Sequence, residues 1–263
     1  MIIATYVVKD DHDILEQGIV HHLENGVDAF IVTEHNSCLA SKSILDKYDQ
    51  YIIERIKIYE HANMQNDWVE KMMAIANKSK PDWIFHSDCD ELWYGLDSLY
   101  EIDIGDVFCT KWVMNYLPYS YDQFNIVDAV YYEQTGLGRS WFDNCYEMRK
   151  VVHRPITGLK ITLGNHTVVK SDGEKLLYKD APMCNVRIKH YPVRTYNQFV
   201  RKVSDGAASY LARRHIPNNA GWHWLMWYKQ LQEGTLKDTF AKYMSSEDNI
   251  GNVDYILSDR IFN

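Results

Sequence analysis

The sequence predicts an α/β fold: a mostly parallel central sheet flanked by helices and followed by a C-terminal helical extension. Three observations carry that expectation. Short apolar runs alternate with amphipathic segments through the first part of the chain, several of those runs end abruptly in polar residues, and helical periodicity returns from Thr195 onward. Strands that alternate with helices imply parallel pairing, with helices on both faces and ligands at the carboxyl ends of the strands. At 263 residues the chain can bury a large core, and its length fits one α/β domain with an appendage. The expected bounds are 1–194 for the domain, divided at 105, and 195–263 for the extension.

The elements follow in order. Ile2 to Val8 is a continuous apolar run, as in a strand buried on both faces, and Lys9-Asp10-Asp11 ends it. A helix follows, capped by Asp11 or Asp13, with Ile14, Leu15, Ile19, Val20 and Leu23 at helical spacing and Asn25-Gly26 as its stop. Ala29 to Thr33 reads as a second strand, Ser41 to Tyr51 as a helix and Ile52 to Tyr59 as a strand. The next helix spans Asn66 to Ser79, and a strand spans Trp83 to Ser87. Beyond Gly105 the rhythm changes. Val107 to Tyr116 reads as one strand, and Leu117 to Asp143 is aromatic, turn-rich and without helical periodicity, the character of a binding loop. Asp172-Gly173 between His166–Lys170 and Lys175–Tyr178 predicts a hairpin. Helices return in TYNQFVRKVSDGAASYLARRH and from Trp222 through Tyr243.

Composition narrows the function classes. Apolar residues at 46% and charged residues at 24% are those of a globular protein rather than a disordered one. A net charge of -8 disfavours nucleic acid and anionic lipid as partners of the molecule as a whole. The segment from Asn185 to His215 departs from that balance: Arg187, Lys189, Arg194, Arg201, Lys202, Arg213 and Arg214 face only Asp205. Such a patch suits an anionic ligand or is a solvated face. Five cysteines with no CxxC pair point away from a disulfide framework or a zinc knuckle and toward a reducing cytoplasm. The start reads as a strand rather than a signal peptide, and no apolar run approaches the roughly 20 residues that cross a bilayer. Membrane contact, if any, is expected to be peripheral, at the inner face, and a homo-oligomer stays open.

The chemistry concentrates at IFHSDCDELW, residues 84–93, where an apolar run stops at Asp88, Cys89, Asp90 and Glu91. Carboxylates supply hard oxygen ligands suited to Mn²⁺ or Mg²⁺. Side chains alternate along a strand, so Asp88 and Asp90 converge only if the chain turns just past it. The alternative is a surface turn with acidic capping residues. Two further polar strand ends, Lys9-Asp10-Asp11 and Glu34-His35-Asn36-Ser37, could face the same crevice.

KDDHDILEQGIVHHLENGVDAFIVTEHNS, then WIFHSDCDELW, and later IKHYPVRTYNQFVRKVSDG resemble a glycosyltransferase of the nucleotide-sugar-binding GT-A fold, family 2-like, with its D-x-D-E motif and late His-Tyr motif. The resemblance covers about residues 1–95 and 150–206. It implies that 1–105 is the nucleotide-sugar-binding half and 106–194 the acceptor side. Val8, Lys9 and Asp10 would lie along base and ribose, with Glu34 and Asn36 closing the pocket. Many relatives have Asp where Glu34 stands. Asp88 and Asp90 match the DxD pair, which would contact ribose and hold the metal on the diphosphate of a donor, UDP-linked in this reading. Glu91 matches the acid that follows. His190 would add a metal or diphosphate contact, and Lys202 with Arg201 would cover the diphosphate. Lys71 lies off the apolar stripe of Trp68, Met72, Ile75 and Ala76 and could approach the nucleotide.

An inverting transfer needs a base for the acceptor hydroxyl. Asp143 and His166 are the candidates; each could instead be structural, capping or bonding the main chain. Trp112, Tyr116, Tyr119, Tyr121 and Trp141 suit the apolar face of a glycan or glycolipid acceptor. Trp222, Trp224, Trp227 and Tyr228 form a denser cluster, for which packing is the default. Two other classes remain: a metal-dependent phosphoester hydrolase, and a carbohydrate-binding protein without turnover.

Overall fold

A computed structural model describes residues 1–60, 64–101, 105–110, 113–118, 120, 122–127, 129–132, 150–180, 185–212 and 222–245. They belong to two units, one drawn from Met1–Glu60, Met64–Val113 and Glu147–Lys189, the other from Met114–Tyr146 and His190–Asn263.

The first unit begins with β1 (Ile2–Val8), α1 (Leu15–Glu24), β2 (Ala29–His35), α2 (Leu39–Lys47), β3 (Ile52–Ile58), α3 (Gln65–Lys78), β4 (Trp83–Asp88) and β5 (Glu91–Tyr94). Short 3₁₀ turns at Asp49–Tyr51 and Leu96–Tyr100 join neighbouring elements. After β6 (Val107–Thr110) come β7 (Val113–Leu117) and β8 (Val130–Tyr132), then β9 (Lys150–His153), β10 (Leu159–Ile161), β11 (Val168–Lys170), β12 (Tyr178–Asp180) and β13 (Arg187–His190). The helices α4 (Tyr196–Leu211), α5 (Trp222–Gln232) and α6 (Leu236–Ser245) follow.

Seven strands form the central sheet in the order β12-β6-β9-β4-β1-β2-β3. β1 lies between β2 and β4 and is parallel to both. Its continuous apolar sequence is explained by burial on two faces. Ile2, Ala4, Tyr6 and Val8 enter one core with Leu15 and Ile19 of α1, while Ile3 enters the other with Val69, Met72, Met73 and Ala76 of α3. Each such large apolar side chain contributes roughly 1.5–3 kcal/mol on burial. The mostly parallel, helix-flanked α/β sheet is therefore present. Its exception is β9, antiparallel to β4 and β6 and inserted between them.

Four local expectations change. Asp11 starts α1 through its backbone, the carbonyl accepting from Ile14 and Leu15, and the N-cap position falls on Ile14 rather than on Asp11 or Asp13. Val107–Tyr116 is not one strand: β6 belongs to the central sheet, whereas β7 pairs antiparallel with β8. Asp172-Gly173 makes a turn, with Gly173 at φ 79, but not a hairpin. β11 pairs back onto β10, because Leu159, Ile161 and Val168 bury one apolar face against α3, and the chain after the turn joins β6 as parallel β12. The last helical stretch is two helices, separated at Gly234, whose φ of 76 suits glycine.

In the second unit Val193, Phe199, Val203, Trp227, Leu236 and Phe240 form a separate core from α4, α5, α6 and the segment before them. Trp227 is buried and packs edge-on against Phe199 at 5.3 Å between ring centroids. Packing thus accounts for Trp224, Trp227 and Tyr228. Gly206, inside α4, has a reason: a Cβ there would lie 2.5 Å from the Trp224 ring. No helix among the described residues is long and apolar enough to cross a membrane.

Candidate active site

The parallel register brings three polar strand ends to one edge of the sheet. Val7 pairs with Asp88 on β4 and Val8 with Glu34 on β2, so the carboxyl ends of β4, β1 and β2 lie side by side. β1 closes its end through the next loop: the Ser37 hydroxyl donates to the Val8 carbonyl at 2.8 Å, and Asp10 Oδ1 accepts from the Cys38 backbone at 3.1 Å. Lys9 is half-buried in the same stretch.

Glu34 is buried. Its Oε1 accepts from Arg55 Nε at 2.8 Å, and its Oε2, sealed from solvent, has no hydrogen-bond partner among the described residues. The neighbouring Thr33 hydroxyl is likewise buried without a partner there. An unsatisfied buried acceptor costs about 1–3 kcal/mol, which ordinary packing residues rarely carry without a use. Asn36, exposed and at φ 50, donates from Nδ2 to the Glu60 carbonyl at 2.9 Å, and His35 Nε2 binds the same carbonyl at 2.7 Å. Asn36 thus ties β2 to the end of β3.

The chain does turn immediately past β4, at Cys89-Asp90, before entering β5. The turn is held from several directions. Ser87 Oγ lies 3.0 Å from the Asp88 carbonyl and 3.2 Å from that of Glu91, and the Cys89 thiol reaches the Val7 carbonyl at 3.5 Å. From below, Gly18 of α1 lets the helix approach: a Cβ there would sit 3.3 Å from the Cys89 carbonyl oxygen.

The acidic turn has a cation that sequence reasoning missed. Lys150, at the head of β9, places Nζ 2.6 Å from Glu91 Oε1 and 3.1 Å from Asp88 Oδ2. Burial alone would lower the Lys150 pKa, but the Asp88 and Glu91 carboxylates outweigh it and hold the ammonium charged, above its ordinary value. Asp88 also accepts from Gln65 Nε2 at 3.1 Å, and the Asp88 backbone N–H donates to Glu91 Oε2 at 3.3 Å. The Asp88 side chain remains 35% exposed while Glu91 is sealed. Asp90 is buried in the turn itself. A lysine opening the apolar run KVVH was the available signal, and only the antiparallel insertion of β9 gives it meaning.

Beneath the site, buried imidazoles form a hydrogen-bonded chain. His153 Nδ1 lies 2.7 Å from the Arg154 carbonyl and must donate to it, which leaves His153 Nε2 to accept from His86 Nε2 at 3.0 Å. His86 Nδ1 then accepts from the Thr5 hydroxyl at 2.7 Å. Every proton has one place, and both rings are neutral. Burial pushes His153 down to about 4 and His86 well below the ordinary histidine value, with the neighbouring His153 and Lys150 adding to the effect on His86.

The other sequence candidates are placed as follows. Lys71 is exposed on α3. His166 lies over its own turn, where Gly164 at φ 75 has room for no side chain: a Cβ would meet the imidazole Nε2 at 2.4 Å. His190 ends β13 and, with Lys202, belongs to the second unit, where Lys202 Nζ donates to the Pro192 carbonyl at 2.9 Å. Arg194 is fully buried, donating to the Tyr191 carbonyl, and so leaves the basic surface patch. Asp143, Trp112, Tyr119, Tyr121, Trp141, Arg213 and Arg214 lie outside the described residues, as does the side chain of Tyr116.

As a metal centre, the donor set is small. Among the described residues no three His, Cys, Asp or Glu side chains are grouped to hold a metal ion. Asp88 and Asp90 bring two carboxylates to the turn, and a cation of the Mg²⁺ type uses one or two carboxylates and completes its shell with water and substrate phosphate oxygens. Counted as ionised, Asp88, Asp90 and Glu91 exceed the Lys150 ammonium by two negative charges, 3 − 1, which complements a divalent ion.

No family model and no curated protein matches the sequence. Among solved structures, the chain is similar to S. aureus TarS 1-349 in complex with UDP, at 9% identity and a TM-score of 0.41 over 92% of this chain and 72% of that one. Another structure of TarS 1-349 aligns at 11% identity and 0.34, covering 59% and 47% respectively. A mannosyltransferase, PcManGT from Pyrobaculum calidifontis in complex with GDP-Man and Mn²⁺, aligns at 11% identity and 0.31 over 41% of this chain. The chain spans only 34% of that enzyme. Likeness at this level carries no argument for function.

Proposed function

We propose that the chain is a metal-dependent glycosyltransferase that moves a sugar from a nucleotide diphosphate sugar, UDP-linked, to a glycan or glycolipid acceptor in surface polysaccharide biosynthesis. The observation that supports this most directly is the alignment of the ends of β4, β1 and β2, which sets Asp88 and Glu34 on the two strands that flank β1. Parallel α/β sheets bind ligands at such carboxyl edges. The similar structures of TarS with UDP and of a mannosyltransferase with GDP-Man and Mn²⁺ agree with the reading without carrying it.

In this reading Val8, Lys9, Asp10, Glu34 and Asn36 line the nucleoside, with Lys71 as an outer contact. Asp88 and Asp90 hold the divalent ion. Such an ion, when bound, offsets the charge that develops on a departing nucleoside diphosphate. Asp88 meets the ribose and diphosphate from the exposed part of its carboxylate. The base for the acceptor hydroxyl is Asp143 or His166. His190, as a further metal or diphosphate contact, and Lys202, toward the diphosphate, enter on the strength of the sequence alone.

The test is donor profiling. UDP-, GDP- and TDP-sugars are incubated with Mn²⁺, and transfer or slow donor hydrolysis is followed. Turnover that requires the metal and is lost in a folded Asp90→Ala variant is the expected result. Full turnover of that variant under metal-limited conditions rejects the role given to Asp90. Nucleotide binding without any transfer or hydrolysis favours a carbohydrate-binding protein instead.

A further inference from the structure

Lys150 is a buried cation that the transferase reading leaves without a task. Its side chain is 3% exposed, and it opens β9 in register with Thr110 of β6, so it cannot swing into solvent as a surface lysine does. Its ammonium occupies Asp88 Oδ2 and Glu91 Oε1 while Gln65 takes Asp88 Oδ1. A divalent ion approaching Asp88 therefore meets a fixed positive charge and a carboxylate already engaged at both oxygens. Repulsion between charges a few ångströms apart is strong where water is excluded.

We propose that Lys150 is a positioning residue that holds Asp88 and Glu91 together and competes with a divalent cation for Asp88, making metal capture by the acidic turn weak until diphosphate oxygens complete the coordination. The inference rests on the transferase reading. It makes Lys150 the reason that metal and nucleotide bind as a pair: the nucleotide adds the anionic oxygens that offset the ammonium. Conditional capture of this kind is a coupling between two ligands, and it acts in both directions.

The test measures Mn²⁺ binding by the loss of the free-ion paramagnetic signal, with Mn²⁺ alone and with Mn²⁺ plus UDP. Wild type is compared with Lys150→Met and with the double variant Lys150→Met/Glu91→Gln. The double change removes both members of the buried pair, so no buried charge is left without its partner, and it guards against a failure of the single variant to fold. With Mn²⁺ alone, folded Lys150→Met is expected to bind about tenfold more tightly than wild type, on the order of one charge–charge contact at partly screened dielectric, and the double variant, which loses the Glu91 charge as well, less tightly than that but still more than about twofold better than wild type because Asp88 is freed. The gain from adding UDP shrinks correspondingly. Affinity for Mn²⁺ alone that stays within about twofold of wild type, or falls, in folded variants overturns the inference while leaving the transferase reading intact. Loss of the fold in both variants marks Lys150 as purely structural and overturns it too. If wild type binds neither Mn²⁺ nor UDP, singly or together, the transferase reading fails and the inference fails with it.

Discussion

At the residue scale, the buried imidazoles give the protein an acid limit. His153 titrates near 4 in the fold and near the ordinary value of 6.5 when unfolded, because burial disfavours its charge. Its depressed folded value means that the stability it supports is complete above about pH 6.5 and is lost as pH falls toward 4. The loss from His153 alone is on the order of 3 kcal/mol at pH 4, and buried His22, lowered in the same direction, adds to it. Urea unfolding at pH 7 and pH 4.5 checks this; equal midpoints would show that the rings do not stay neutral. A contrast between glycines is equally direct. Gly95, at φ 69, would place a Cβ 2.4 Å from the Asn185 carbonyl oxygen, whereas Gly173, at φ 79, meets nothing within 4 Å. Gly95→Ala is expected to cost more than about 2 kcal/mol and Gly173→Ala about 1 kcal/mol, the left-handed backbone strain alone. Thermal melts of the two variants measure the difference. Neither contrast is visible in the sequence, since each depends on a neighbour far along the chain.

Among the elements, those with local causes were the legible ones. β1, β2 and β4 follow from apolar runs closed by polar residues, and α4 begins where Thr195, its cap, accepts from the Gln198 backbone at 3.1 Å. Thr195→Ala should therefore lower stability by about 1 kcal/mol in chemical denaturation, and Thr195→Ser should restore most of it. What failed were the pairings. A turn residue pair such as Asp172-Gly173 specifies where the chain bends but not which strand it meets next, and the buried face of Leu159, Ile161 and Val168 decided that β11 belongs with β10. The candidate site divides in the same way. Asp88, Asp90 and Glu34 stood out as acids at strand ends, but Lys150 entered through an antiparallel strand whose place in the sheet no periodicity reports. Gly206 is a third case, a helix-interior glycine that looks like a weakness until the Trp224 ring is seen against it. Gly206→Ala should raise helix propensity and yet destabilise, a sign reversal readable by thermal denaturation.

For the whole molecule, separate cores mean that a substitution in one unit need not be felt in the other's side chains. Phe240 is fully buried in the core of the second unit, and Phe240→Ala is expected to cost about 3–5 kcal/mol there. Amide exchange should rise first in α4, α5 and α6; uniform loss of protection through β1 and β4 would contradict separate cores. The central sheet has a further consequence, in the order in which a ribosome releases it. Of its strands β1 is made first, and β3, β2, β1 and β4 are adjacent in the sheet and complete once residue 88 has emerged. β9, β6 and β12 extend that half-sheet only later, and β9 joins β4 directly. During that interval Asp88 and Glu91 have been synthesised and Lys150 has not. The nascent half-sheet carries its acidic turn uncompensated, so the last strand to insert beside β4 brings the charge that lets the edge close.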